Sequence, residues 1–218
     1  MKLLSVALAR VTVLVDSAEV NPRNQVSVPD FVKAITERYG FMKFPRTIEE
    51  YDLAKGINFG LGKLGNINIT SINLYNVGTV IDTGSATQDC DVIYEDLLRW
   101  AMDLVGIEDR PTPDRRFYVS ELAFQSNMRL DAINKFFTAI SSKVTTTVSK
   151  FARQEYNFEP VAIVAMPDMS NIKLGPTSFR IDRLQGAPFE DKKYFSSAPL
   201  PTDDHIGLIE EFEKYIGG

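Results

Sequence analysis

The chain has 218 residues, 44% hydrophobic and 24% charged, with a formal net charge of -5. This composition is globular and the length suffices for a sizeable core, while the acidic balance argues against a general nucleic-acid binder. One histidine, His205, and one cysteine, Cys90, exclude an intrachain disulfide. They also exclude most nitrogen- or sulfur-ligated metal sites and most catalytic relays within one subunit. Carboxylates remain for chemistry, with Ser, Lys and Tyr in support.

Residues 3–15 are rich in Val, Leu and Ala and read as a buried strand. Arg10 interrupts the apolar run at the amino terminus, so that run reads as strand and not as a secretory leader. No other segment approaches the roughly 20 apolar residues of a membrane span. A soluble, cytoplasmic protein with no membrane association is expected. Pro29, Phe31, Val32, Ile35 and Tyr39 predict a short helix ended by Gly40.

Strands are predicted over 56–61, 66–75 and 79–82, with turns at 62–65 and 76–78 and a bulge near Ser71, where the alternation changes face. Ser85 and Gln88 have capping-box spacing, and Cys90, Ile93, Leu97, Ala101 and Leu104 then mark a helix stopped by Gly106. Residues 108–114 are a polar linker with two prolines, followed by a strand over 117–124. From about 128 to 152, Leu130, Ile133, Phe137, Ile140, Val144, Thr147 and Phe151 recur at spacings of three and four. They form a seven-residue seam on a helix of roughly 36 Å, suited either to the core or to a partner. Strands over 161–166 and 178–184, an extended proline-containing segment over 187–201 and a final helix from Thr202 complete the chain.

These elements predict a single α+β domain over residues 1–218, with a possible subdivision at the 108–114 linker. A mostly antiparallel or mixed sheet of about six to eight strands would be covered by three main helices, near 87–105, 128–152 and 203–215.

Several local patterns bear on chemistry. Gly60-Leu61-Gly62-Lys63-Leu64-Gly65 has the spacing of a phosphate-binding glycine loop, but a strand follows where a dinucleotide site opens a helix. Its strand-loop-strand setting resembles the glycine loop of protein kinases, whose His-Arg-Asp loop has no counterpart here. Asp82-Thr83-Gly84-Ser85, preceded by Val80-Ile81, resembles the signature of aspartic proteases. That resemblance implies a homodimer sharing one proton between two Asp82 carboxylates, although a helix follows at once and no flap is evident. Asp89 and Asp91 are candidate ligands for a hard cation, or simply anions favoured by a helix start. Pro167-Asp168 with Glu190-Asp191-Lys192 resembles the arrangement in metal-dependent nucleases, but its second half falls in a loop.

Arg180, Arg183 and Lys173 are candidates for holding a small acidic ligand. Cys90 falls on an apolar stripe, and His205 sits at a helix start with acids nearby, where a surface position or a hydrogen bond within the first turn is expected.

The function expected first is that of a non-catalytic interaction or assembly protein. It would form homo-oligomers, and pair with other protein subunits, through Leu130, Ile133, Phe137, Ile140, Val144 and Phe151, with no cofactor. The alternatives are a carboxylate-dependent hydrolase centred on Asp82, aspartic-protease-like or metal-dependent, and a binder of a small acidic ligand.

Overall fold

The computed structural model describes residues 1–22, 25–108, 111, 115–128, 130, 133, 135–170 and 175–216. Eight strands form one sheet: β1 (Lys2–Leu14), β2 (Ile57–Leu64), β3 (Ile67–Tyr75), β4 (Gly78–Thr83), β5 (Arg115–Gln125), β6 (Ala162–Ala165), β7 (Phe179–Arg183) and β8 (Lys193–Ala198). Their spatial order is β2-β3-β4-β1-β5-β8-β7-β6, and every neighbouring pair is antiparallel. Among the described residues five α-helices accompany the sheet: α1 (Ser17–Val20), α2 (Val28–Tyr39), α3 (Thr87–Val105), α4 (Lys135–Ala152) and α5 (Thr202–Ile216). The architecture is α+β, as the sequence predicts.

Strand alternation gives the sheet two different faces. In β1, Ala9, Val11 and Val13 are fully buried, whereas Arg10, Thr12 and Leu14 are partly exposed. The buried face carries the helices, with α3 against β1, β4 and β5, α2 against β2, and α5 against β5. Two buried clusters lie beneath them. One joins β1 to β4 with α2 and α3, and the other joins β5, β7 and β8 with α5, Met128 and Leu130. Val6 packs against both. The long β1–β5 pairing, from Leu14 opposite Arg115 to Lys2 opposite Gln125, carries the sheet across the boundary between the two clusters.

The helix stops fall where the sequence places them. Ser27 caps α2 by accepting from the Asp30 N–H, and Gly40 and Gly106 end α2 and α3 in the left-handed conformation. The bulge near Ser71 is present as a register shift between Ile69 and Ser71 against β4.

Four expectations are corrected. β2 continues to Leu64, so the reversal occurs at Gly65 and Asn66 and not across 62–65. The segment 187–201 contributes an interior strand, β8, because Tyr194, Ser196 and Ala198 alternate into the core. The helix expected from 128 begins at Lys135, and Leu130 precedes it, buried in the second cluster. Neither cluster contains a residue of α4, so the third helix on the sheet is α2. Most of the 108–114 linker lies outside the described residues. Among those described, no helix is long and apolar enough to cross a membrane.

Candidate functional site

α4 is amphipathic by its spacing, yet its apolar stripe is not used by the core. Phe137 is 57%, Ile140 43% and Phe151 81% exposed, with Val144 half-buried between them. Ile133, just before the helix, is exposed as well. Beyond Ala152 the chain reverses at Arg153, which takes a left-handed φ of 53°. It then returns along the polar flank of α4. The Tyr156 N–H donates to Ser149 Oγ and the Phe158 N–H to Thr145 Oγ1, both at 3.0 Å. This return leads directly into β6, where Val164 is exposed, as are Val161 just before the strand and Met166 just after it. Half of the exposed large hydrophobic side chains among the described residues fall between Ile133 and Met169. Such a concentration is the usual mark of an interaction surface.

Asp82 stands elsewhere, in the middle of the uncovered sheet face. Its carboxylate accepts from Arg10 Nε at 2.7 Å and Nη2 at 2.8 Å, and from Ser71 Oγ at 3.1 Å. The Asp82 side chain is 9% exposed and that of Arg10 40%. The fork-to-fork pair raises the Arg10 pKa, chiefly through the hydrogen bond to Asp82. A carboxylate held in this way is committed to a cation, which is a different environment from two carboxylates sharing a proton.

Ser85 Oγ donates to Asp89, four positions on, so the capping box expected at Ser85 and Gln88 is not formed. The residue preceding α3 is Ala86, which supplies no side-chain cap. Asp91 accepts from Arg116 Nη1 at 2.7 Å and from the Tyr118 hydroxyl at 3.2 Å, while Arg116 Nη2 reaches Glu95 at 2.7 Å. The acidic start of α3 is therefore partly neutralised by one arginine from β5. Among the described residues no group of three or more His, Cys, Asp or Glu could hold a metal ion.

Arg180 and Arg183 lie on opposite faces of β7. Arg180 pairs with Asp182 on the uncovered side. Arg183 turns to the helical side, where its guanidinium lies 4.7 Å from the Tyr194 ring and 5.5 Å from the Phe189 ring. Arg183 also pairs with Glu159 at 3.5 Å, and its Nε is buried with no hydrogen-bond partner among the described residues. A surface hollow of about 380 Å³ beside it is lined by Asn157, Glu159, Phe189 and Glu190. An anion entering there would meet two carboxylates. Lys173 lies outside the described residues.

No family model and no curated protein matches the chain. Its residues therefore carry the functional argument alone.

The sequence offers no signal for the surroundings of His205. It is fully buried, contrary to the expected helix-start position at the surface, with Nδ1 2.6 Å from Ser120 Oγ and Nε2 2.8 Å from Ser196 Oγ. Ser196 Oγ donates its hydrogen to the Arg180 carbonyl at 2.8 Å, so it accepts from a protonated Nε2, and Ser120 donates to Nδ1. Burial lowers the His205 pKa to about 4, against the upward shift that neighbouring acids would give. A serine donating to a histidine is the start of a nucleophilic relay. Here Ser120, Ser196 and His205 are all enclosed, and what the array accomplishes is to join β5, β8 and α5. Cys90 is also in the core, its thiol pushed up to about 11 by burial.

Proposed function

We propose that the protein is a non-catalytic assembly subunit that self-associates through the apolar surface formed by α4 and the chain leading into β6. The observation that carries this reading is the exposure of Phe137, Ile140 and Phe151 on a helix whose spacing calls for an apolar neighbour. Neither core cluster includes a residue of that helix, and Ile140 and Phe151 stand exposed on it. Closed, symmetric homo-oligomers are the commonest way such a face is covered.

Sedimentation at micromolar concentration tests the proposal. The chain is expected to run as an oligomer, and Phe137→Lys and Ile140→Lys to dissociate it with far-UV circular dichroism unchanged. A monomeric parent chain removes the basis of the reading. Unfolding of both variants would mean that the stripe stabilises the subunit itself.

A further inference from the structure

α4 carries positive charge and no negative charge. Its sequence includes Lys143 and Lys150 without a single acid, and both lysines are exposed. At about 100° of rotation per residue, Ile140, Val144 and Phe151 form one row and the two lysines a second row along one side of it. The other side of the apolar row is the flank to which the returning chain bonds, at Thr145 and Ser149. A surface that covers α4 therefore meets apolar side chains and lysines together. A second α4 offers those lysines no carboxylate.

The acids of the other helices differ in whether they are already paired. On α3, Asp91 and Glu95 are held by Arg116 and Asp96 by Arg38. On α5, Asp204, Glu210 and Glu211 are exposed, and among the described residues none of the three forms an ion pair. The buried side of α5 runs through Thr202, His205 and Ile209. Its outward side carries Asp204, Leu208, Glu211 and Tyr215 at spacings of four, three and four, with Leu208 37% and Tyr215 77% exposed. Such spacing is that of a helix–helix seam.

The two surfaces agree in spacing and in hand. Lys143 and Lys150 are seven residues apart, as are Asp204 and Glu211, which is about 10 Å along each helix. On a right-handed helix seen from outside with its amino terminus down, rotation proceeds to the right. The lysines of α4 then lie to the left of its apolar row, and Asp204 and Glu211 to the left of Leu208 and Tyr215. Two such faces set charge on charge when the helices run antiparallel, whereas parallel packing sets the lysines on the apolar row of α5. Lys214, the one cation of α5 at neutral pH, lies on the far side of the acidic row from Leu208.

We infer that α4 of one copy packs antiparallel on the outward face of α5 of a second copy, with Lys143 beside Glu211 and Lys150 beside Asp204. In that register Leu208 enters between Val144 and Phe151, and Tyr215 lies beside Ile140. The inference rests on the self-association proposed above and names the surface that α4 covers. Because the two surfaces differ, copies either exchange α4 about a two-fold axis or follow one another head to tail.

Charge reversal tests the pairing by sedimentation velocity at micromolar concentration and low salt, where surface charges are least screened. K143E/K150E and D204K/E211K each change two exposed side chains. Each variant alone is expected to lose the oligomer that the parent chain forms, because like charges then face each other. An equimolar mixture of the two should recover it. The reversed α4 of one then meets the reversed α5 of the other, and the unchanged α4 meets the unchanged α5. Recovery also shows that neither loss was misfolding. Among single variants, D204K should rescue K150E and E211K should rescue K143E, and the crossed preference would overturn the antiparallel direction.

An oligomer that survives either double reversal, or loss in both without recovery on mixing, overturns the pairing of α4 with α5. If Ile140→Lys still dissolves an oligomer that D204K/E211K leaves intact, self-association through α4 stands and α5 is not its partner surface. A parent chain that sediments as a monomer removes both proposals.

Discussion

Thr87 and Thr202 cap each other's helices across 115 positions of sequence. The Thr87 N–H donates to Thr202 Oγ1 at 3.0 Å, and the Thr202 N–H donates to Thr87 Oγ1 at 2.8 Å. Each is the first residue of its helix, α3 or α5, where N–H groups have no intrahelical partner. Both threonines are buried, so water cannot substitute. The two core clusters, one beneath α3 and the other beneath α5, are thereby tied at the helix starts. Thr87→Val and Thr202→Val should each cost about 1–2 kcal/mol, as cap removals do. The double variant should cost less than the sum, because each single change already breaks half of a reciprocal pair. Urea unfolding of the three variants measures the coupling, and strict additivity would contradict it.

His205 gives stability a defined pH dependence. Its pKa falls from 6.5 to about 4 in the folded state because burial disfavours the imidazolium. Between those values the unfolded chain binds the proton and the folded chain does not, so stability is full above pH 6.5 and declines as pH falls toward 4. The loss amounts to about 3 kcal/mol at most for a shift of this size. Thermal melts between pH 7 and pH 4 should show the decline. Replacement of His205 by Gln, which keeps a donor and an acceptor but does not titrate, should flatten that part of the profile while lowering stability at neutral pH. An unchanged slope in His205→Gln would assign the decline to the carboxylates instead.

What the sequence made legible follows from the range of the forces involved. The helix stops at Gly40 and Gly106 are local and were readable. So was the change of face at Ser71, because a bulge reverses the alternation that sequence displays. β8 was harder to see. Lys193–Ala198 is short and polar at Ser196 and Ser197, and it becomes an interior strand only because β5 and β7 flank it. The partners of Asp82 and His205 were also out of reach, since Arg10 and Ser120 lie 72 and 85 positions away. Periodicity showed the α4 stripe but not whether it faces outward, which only the completed clusters reveal. The Leu130 position shows the converse error: a spacing that continues a seam belongs to a residue placed before the helix and in the core.

The Arg10–Asp82 pair should respond asymmetrically to loss of either partner. Asp82 is nearly buried and Arg10 is substantially open to water. Asp82→Asn leaves a guanidinium that solvent can satisfy, and should cost about 1 kcal/mol or less, in keeping with a half-exposed ion pair. Arg10→Met strands a carboxylate whose remaining protein donor is the Ser71 hydroxyl, and should cost about 1–3 kcal/mol. Chemical denaturation at pH 7 measures both. If Asp82→Asn proves the more damaging change, the carboxylate has a role beyond pairing with Arg10, and the hydrolase alternative regains a reason to be tested.

The glycines of the Gly60 to Gly65 run answer to two different constraints, and substitution should separate them. A Cβ at Gly62 would come within 2.4 Å of Phe41 Cε1 and 2.5 Å of Cδ1. Phe41 cannot easily yield, because its ring is held 5.7 Å from that of Tyr39 and 5.3 Å from that of Phe59. Gly62→Ala should therefore cost about 1–3 kcal/mol by overpacking, and Phe41→Leu in the same chain should recover part of the loss. Gly65 has open space around it but a φ of 56°, so Gly65→Ala should cost about 1 kcal/mol through the backbone alone. Gly65→Asn should cost less, since asparagine tolerates the left-handed region. Melting temperatures of the four variants decide the matter. Rescue of Gly62→Ala by Phe41→Leu would assign that glycine to packing, and its failure would leave the close approach of Phe41 an insufficient reason for a glycine there.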